Sequence, residues 1–180
     1  PRLKEWRLQQ LARLPQFTFL RDDICRPDLF TELSREFAPF DAVIHLAARA
    51  GVRQAVEIPE AYLQTNAMGT LNILEWCRKS GPSKLVLAST SSIYGANPPL
   101  PTPEDADSCH PLQIYAASKK AAEVMAYTYH HLYGLDTTVV RFFTVYGPAG
   151  RPDMVMFRFT RWIAEGDPVH RLLVGVIAVH

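Results

Sequence analysis

Apolar residues recur at helical spacing in five segments of the chain. A spacing of three and four residues places apolar side chains on one face of a helix, which predicts amphipathic helices there. Breakers mark several of the ends: Pro15 after the first, Gly81 with Pro82 after the third, Gly134 after the fourth and Gly166 after the fifth. Asp153 precedes the fifth segment and is predicted to cap it. The predicted helices cover residues 1–13, 28–37, 61–78, 115–133 and 153–165.

Between these helices lie short apolar runs with little alternation, at residues 17–20, 41–48, 84–89 and 137–143. Continuous apolar runs are typical of parallel strands that are covered on both faces. Strands that alternate with helices indicate βαβ units with right-handed crossovers. The predicted fold class is therefore α/β, a doubly wound parallel sheet of Rossmann-like type with helices on both faces.

Composition narrows the classes of function. The chain has 180 residues, of which 48% are apolar and 21% charged, and its formal net charge is +1. This balance indicates one globular domain, and no basic run indicates a nucleic-acid partner. No window of about 18 apolar residues predicts a membrane span, and the charged N-terminus does not resemble a signal peptide. We expect a cytoplasmic protein.

The three cysteines, Cys25, Cys77 and Cys109, are far apart and form no Cys-x-x-Cys pair. We therefore expect reduced thiols and no metal site.

The most informative short motif is YAASK at residues 115–119, at the start of a predicted helix. A spacing of four places Tyr115 and Lys119 on one helical face. A phenol titrates near pH 10, and a neighbouring ammonium favours its phenolate form, as base catalysis at neutral pH requires. Thr90 ends the preceding strand and is expected to place its hydroxyl beside the phenol. Alternatively, the motif is an ordinary helix start and the hydroxyl residues 89–92 cap a loop.

Four motifs together identify a family. HLAA at 45–48, ASTSSIYG at 88–95, YAASK at 115–119 and RFFTVYGP at 141–148 resemble the extended short-chain dehydrogenase/reductase superfamily, and within it the sugar-nucleotide epimerases. The resemblance extends to about Pro168. Further segments, AGVR at 50–53, HHLYG at 130–134 and the stretch 141–154, are similar to those of UDP-glucuronate 4-epimerases.

The resemblance implies a nucleotide-sugar epimerase that uses NAD, with Tyr115, Lys119 and Thr90 as catalytic residues. It implies that one group of residues holds the cofactor: Asp23 and Ile24 at the adenine, Leu46, Ala47 and Ala48 along its path, Asn66 near that same stretch, and Lys119 at the nicotinamide ribose.

The resemblance also implies that the substrate is a UDP-sugar bound by Ser91, Ser92, Thr144 and Arg151. An Arg guanidinium presents a planar fork to a carboxylate, which suits a uronic acid. Solvated surface roles remain the alternative for Asp23 and Arg151. A structural role is expected for His45.

The chain departs from the family pattern at both ends. It contains no Gly-x-x-Gly-x-x-Gly loop, so the resemblance implies that it begins after the second strand of the family and leaves NAD versus NADP open. Residues 169–180 form an apolar tail unlike the family. We therefore interpret residues 1–168 as a partial NAD-binding domain and expect little epimerase activity from this chain alone.

Other functions stay open. A sugar-nucleotide 4,6-dehydratase carries an Asp-Glu pair after the active-site Thr, where this chain has Ser91 and Ser92, which argues against dehydration. A decarboxylase of the same uronic acid nucleotide shares the features above. A truncated, inactive remnant is the alternative from another class. A homodimer is expected for the enzyme, with no nucleic-acid or membrane partner.

Overall fold

The computed structural model describes residues 2–37 and 39–168. The predicted tail, residues 169–180, lies outside the described residues. The chain divides into a larger unit, Leu20–Phe143, and a smaller unit that combines Pro1–Phe19 with Thr144–His180. No helix in the described part of the chain is long and apolar enough to cross a membrane.

The larger unit contains the sheet and most of the helices. Its elements in chain order are α2 (Leu29–Phe37), β1 (Ala42–His45), α3 (Val52–Glu57), α4 (Pro59–Tyr62), a π-helix (Leu63–Met68), α5 (Gly69–Lys79), β2 (Lys84–Thr90), a 3-10 helix (Ser91–Tyr94), α6 (Ile114–Tyr133) and β3 (Asp136–Phe142). The smaller unit contains α1 (Arg2–Leu11) and α7 (Val155–Glu165).

The three strands form one parallel sheet in the order β1-β2-β3. Ile44 pairs with Val86 and Leu87 with Val139, so the register aligns the carboxyl ends of the strands at one edge. The β2 side chains Leu85 and Leu87 are fully buried. The parallel sheet with flanking helices confirms the predicted fold class. The main apolar core consists of eleven buried side chains: Leu29, Phe30, Ile73, Leu74, Trp76, Cys77, Leu85, Leu87, Ala122, Ala126 and Leu135.

The predicted long helix at 61–78 is present, but it is not a uniform α-helix. It runs from Pro59 through α4, the π-helix and α5 to Lys79. Pro59 at its first position suits a helix start, because proline has no N–H to leave unpaired. Single π-turns within helices are rare and occur often at functional sites. The wider π-turn carries Asn66, which is fully buried.

Three sequence predictions are wrong in detail. Residues 17–20 form no strand, and Phe19 and Leu20 are half-exposed, because no described strand pairs with them. The strand predicted at 41–48 ends at His45, and the next three residues form a loop. Asp153 does not cap α7: the residue before the helix is Met154, and the Asp153 carboxylate pairs with Arg151 instead.

Candidate active site

The first two turns of α6 carry Tyr115 and Lys119, as predicted. Tyr115 is half-buried, whereas Lys119 is only 3% exposed. Burial lowers the pKa of Lys119 to about 8, and the negative charge of Glu123 opposes this shift. Among the described residues, the Lys119 ammonium finds no hydrogen-bond partner. A buried ammonium in this state is suited to donate to the hydroxyl groups of a bound molecule.

Thr90 is the last residue of β2 and is 7% exposed. Its hydroxyl oxygen accepts a hydrogen bond of 3.2 Å from the Ser92 backbone N–H, which caps the 3-10 helix that follows. This short helix contacts α6, so the turn that follows Thr90 lies against the helix that carries Tyr115. Ser91 and Ser92 are half-buried in the same turn. Direct contact between the Thr90 and Tyr115 hydroxyls stays a prediction.

Asn66 joins the loop after β1 to α6, the helix that carries Tyr115 and Lys119. Its side-chain oxygen accepts the Arg49 backbone N–H at 2.8 Å, and its amide donates to the Arg49 carbonyl at 3.0 Å. The same amide donates to the Ser118 hydroxyl at 2.9 Å, and that hydroxyl donates to the Tyr115 carbonyl at 2.8 Å. The buried Asn66 amide therefore positions protein atoms of the loop and of α6, and its predicted role at the cofactor stays a prediction.

Tyr62, one turn before Asn66, makes a second connection of the same kind. Its hydroxyl donates to the Gly51 carbonyl at 2.8 Å, and its ring packs edge-on against the Tyr115 ring with centroids 6.4 Å apart. Gly51 adopts φ 115°, a conformation that favours glycine. The loop at residues 46–51 is thus fixed at two points, and both anchors also contact the start of α6.

His45 ends β1 and is buried beside the same network. The Thr70 hydroxyl donates to the Asn66 carbonyl at 2.6 Å and therefore accepts the His45 Nε2–H, at 3.0 Å. Burial and the nearby Lys119 charge lower the pKa of His45 to about 4. A pKa this low makes the imidazole a weak proton acceptor, and its Nε2–H is already bonded to Thr70, which supports the expected structural role and not that of a base.

The segment with Asp23 and Ile24 lies against the helices that carry Asn66. The Ile24 carbonyl accepts a hydrogen bond of 2.9 Å from the Asn72 side chain. A Cβ added at Gly69 would lie only 2.6 Å from the Ile24 side chain, so glycine permits this close approach. The Asp23 carboxylate is exposed, and a hydrogen bond from the Cys25 backbone N–H lowers its pKa. Arg49 is near enough to lower that pKa further, which places Asp23 beside the loop after β1.

Leu46, Ala47 and Ala48 lie in that loop and are exposed, Leu46 to 64%. Their small or exposed side chains leave the backbone open to a ligand. Tyr115 and Lys119, the predicted catalytic residues, therefore lie on a helix that is fixed to the loop of the predicted cofactor residues Leu46, Ala47 and Ala48.

Thr144 and Arg151 belong to the smaller unit, and both are exposed. The Arg151 guanidinium donates to Asp153 through Nε at 3.1 Å and through Nη2 at 2.5 Å. Within this unit Arg151 lines a cavity of about 270 Å³ together with Tyr146 and Phe157. Its predicted role at a substrate carboxylate stays a prediction, and any such carboxylate would share the guanidinium with Asp153.

Sequence reasoning missed four side chains around this site: Tyr62, Ser118, Glu123 and Arg141. Ser118 stands inside the YAASK motif, three residues after Tyr115, where a helical side chain faces back over the preceding turn. That position was the available signal for its role. The partners of Tyr62, Glu123 and Arg141 are distant in sequence, and nothing local indicated them.

The chain is similar to known proteins over most of its length. The model of the NAD-dependent epimerase/dehydratase family matches residues 3–175. A UDP-glucuronate 4-epimerase of Thermodesulfobacterium geofontis is 54% identical over 169 residues, which are 93% of this chain and 51% of that protein.

Two kinds of solved structure are similar. UDP-glucuronic acid 4-epimerase from Bacillus cereus, in complex with UDP-glucuronic acid and NAD, is 34% identical with a TM-score of 0.81, and the match covers 93% of this chain and 52% of that one. The dTDP-glucose 4,6-dehydratase DesIV from Streptomyces venezuelae, with NAD bound, is 28% identical with a TM-score of 0.80 over 90% of this chain and 49% of that one. This chain belongs to the NAD-dependent epimerase/dehydratase family and spans about half the length of the relatives it matches.

Proposed function

We propose that this chain is the catalytic part of an NAD-dependent UDP-glucuronate 4-epimerase. The observation that carries the proposal is the fixed placement of Tyr115 and Lys119 beside the loop after β1, through Asn66 and Tyr62. Support for the substrate comes from the relative that is 54% identical over 93% of this chain and is named for that activity.

The described residues fit NAD in three respects. Asp23 offers an exposed carboxylate that its own loop holds in the charged form. Residues 46–48 offer open backbone, and Lys119 offers an ammonium with no hydrogen-bond partner among the described residues. Bound NAD would supply the acceptor and donor of hydride at the sugar carbon, C4. A ribose hydroxyl of the dinucleotide can accept a hydrogen bond from the Lys119 ammonium, and the Asp23 carboxylate can accept one from the amino group of the adenine.

Tyr115 is the residue proposed to move the proton. Its phenol oxygen would take the proton from the sugar 4-hydroxyl as the carbon is oxidised and return it as the carbon is reduced. Lys119, one turn along α6 on the same face of the helix, would hold the nicotinamide ribose beside the phenol. Thr90 would donate a hydrogen bond to the same sugar oxygen and fix its position between two hydroxyl groups.

For the substrate, we propose that Arg151 and Thr144 bind the sugar carboxylate and that Ser91 and Ser92 contact the sugar. The guanidinium of Arg151 is exposed, and among residues 2–37 and 39–168 it pairs with the exposed Asp153 alone, which leaves its Nη1 edge for a second carboxylate. The cavity beside it, about 270 Å³, gives room for such a group. Cytoplasmic location and a homodimer remain expectations for the whole protein.

A dehydratase is the second candidate, because a 4,6-dehydratase is among the similar structures. Elimination of water from C5 and C6 needs an additional acid and base next to the sugar. Two hydroxyl side chains, Ser91 and Ser92, follow Thr90 in this chain. Hydroxyls are poor general acids and bases at neutral pH, which favours the epimerase.

The test is substrate preference. Conversion of UDP-glucuronate and of UDP-glucose is compared in a protein that carries this chain, for the native sequence and for Arg151→Ala. The proposal expects the native protein to prefer UDP-glucuronate and the variant to lose mainly that preference. Arg158→Ala is the matched control, because Arg158 lies over the Trp162 ring in the same unit. Equal weakening of both substrates by Arg151→Ala would contradict the carboxylate role.

A further inference from the structure

Glu123 lies one helical turn after Lys119 on α6, so the two side chains share a face of the helix. Both are nearly buried, Lys119 at 3% and Glu123 at 7% exposure. They make no direct ion pair, yet within the part of the chain that the structure describes Glu123 is the carboxylate whose charge acts on Lys119. A buried charge is costly unless another charge compensates it. The negative charge that compensates the buried Lys119 ammonium therefore lies on the same helix, α6.

The Glu123 carboxylate is itself held rigidly by Arg141 of β3. Arg141 donates through Nε to Oε1 at 3.0 Å and through Nη2 to Oε2 at 2.9 Å, a bidentate pair. Burial is the largest single influence and raises the pKa of Glu123. The hydrogen bonds to this carboxylate, first those from Arg141, and the positive charges of Arg141 and Lys120 together outweigh burial and hold that pKa below its usual range. The carboxylate therefore stays ionised across the range in which an enzyme of this kind works.

Arg141 also connects Glu123 to the segment after Thr90. Its Nη1 donates to the Tyr94 hydroxyl at 3.0 Å and to the Glu104 carbonyl at 2.6 Å, and its guanidinium lies over the Tyr94 ring, 5.1 Å from the centroid. Tyr94 ends the 3-10 helix that begins directly after Thr90. A single guanidinium thus joins the helix of Tyr115 and Lys119 to the segment of Thr90.

We propose that Glu123, fixed in place by Arg141, is the counter-charge of the buried Lys119 ammonium and hence a positioning residue of the active site. This inference deepens the proposed function, on which the role of Lys119 rests. The other charged groups near Lys119 do not supply the compensation. His45 from β1 is neutral, and Lys120 adds a positive charge that already lies 3.6 Å from Glu123.

The consequence is that removal of the Glu123 charge must make Lys119 easier to deprotonate. General loosening of the site would do the opposite, because water would return the pKa of Lys119 towards that of an ordinary lysine, about 10.4. The direction of the change therefore separates an electrostatic role from a merely structural one.

The experiment is an NMR titration of the Lys119 Cε signal in the 180-residue chain with labelled lysine. The chain has only five lysines, and the Lys119→Arg variant identifies the signal. We expect the native signal to titrate near pH 8 and the Glu123→Gln signal at least about one pH unit lower, a tenfold change in ionisation constant. Glu75→Gln is the matched control, since Glu75 lies on α5 and does not act on Lys119; it should leave the titration unchanged.

An unchanged or higher Lys119 pKa in Glu123→Gln would overturn the proposal. Should that variant fail to fold, Glu123→Met combined with Arg141→Met replaces the whole ion pair by apolar side chains, a change that proteins often tolerate. The double variant should still lower the Lys119 pKa, because Arg141 is not among the charges that act on Lys119. No turnover is measured, so failure of the proposed function would leave this result interpretable by itself.

Discussion

The side-chain amide of Asn66 donates a hydrogen bond of 2.9 Å to the Ser118 hydroxyl, from the π-helix to the catalytic helix. This bond is buried, and the same Asn66 side chain pairs with both backbone groups of Arg49. The loop after β1 and the residues Tyr115 and Lys119 are therefore held in a fixed relation before any ligand binds. Preorganisation of this kind lowers the cost of binding, because the loop does not have to be ordered at that moment.

Replacement of Asn66 by Leu should destabilise the chain and weaken NAD binding together. The change leaves the Arg49 N–H, the Arg49 carbonyl and the Ser118 hydroxyl without their partner, and buried unpaired groups cost about 1–3 kcal/mol each. We expect a loss of at least about 2 kcal/mol in the free energy of unfolding, measured with urea. Gln64→Ala is the control, because that exposed side chain should change stability by less than about 0.5 kcal/mol. An Asn66→Leu protein as stable as the native one would refute the positioning role.

Lys119 should reduce the stability of the fold at neutral pH. Its folded pKa of about 8 lies below the unfolded value of about 10.4, so between these values the unfolded chain binds a proton that the folded chain has lost. Stability contributed by this group therefore rises with pH across that window. Lys119→Met should be more stable than the native chain by up to about 3 kcal/mol at pH 7, and the advantage should shrink from pH 8 to pH 10.

Urea unfolding at several pH values measures this difference, with Lys120→Met as the control. Lys120 is half-buried, donates to Ser108 and follows Lys119 directly on α6, so this variant shows what the loss of a neighbouring lysine side chain does to stability. A constant difference between native and Lys119→Met proteins from pH 7 to pH 10 would contradict the lowered pKa.

His45 should make the chain sensitive to mild acid. Its folded pKa is about 4 and the unfolded value about 6.5, so stability is lost as the pH falls below 6.5, where the unfolded chain binds a proton first. At pH 5 the loss should be about 2 kcal/mol relative to pH 7. His45→Gln keeps a donor for Thr70 and should remove most of this loss, whereas His131→Gln, an exposed control, should not. Equal acid sensitivity of native and His45→Gln proteins would count against a buried neutral imidazole.

Much of the fold could be predicted from local pattern. The α6 helix has an N-terminal motif, an amphipathic body and a left-handed Gly134 at its end, and it was predicted to within one residue at its start. The strand at 17–20 could not be decided in this way. Phe19 and Leu20 are apolar, but a strand forms only where another strand pairs with its backbone, which is a property of the fold and not of the segment.

The candidate site was likewise predictable only where its residues are close together in the sequence. Tyr115 and Lys119 were predicted because they share one helix turn and one motif. The hydrogen bonds from Arg141 to Glu123 join residues that are 18 positions apart, and the hydrogen bond from Asn66 to Ser118 joins residues that are 52 positions apart. No periodicity signals such pairs. The apolar pattern predicted a regular helix here. It gave no indication of the π-helix, in which Asn66 reaches both Arg49 and Ser118.

Tyr115 is the residue that we propose to move the proton in the epimerisation of UDP-glucuronate at C4. The most direct test of this role is a chimera in which this chain replaces the matching 169-residue segment of the Thermodesulfobacterium geofontis UDP-glucuronate 4-epimerase. Conversion of UDP-glucuronate to its C4 epimer is followed by NMR, with Tyr127→Phe as the control, because Tyr127 is an exposed tyrosine on the same helix. Bound NAD and circular dichroism verify that each protein is folded and loaded.

We expect the native chimera and the Tyr127→Phe chimera to form the epimer. The Tyr115→Phe chimera should bind NAD as well as they do but turn over at least about a hundredfold more slowly, the size expected for loss of a general base. A folded, NAD-loaded native chimera that forms no epimer, or a Tyr115→Phe chimera as fast as the native one, would contradict the proposal.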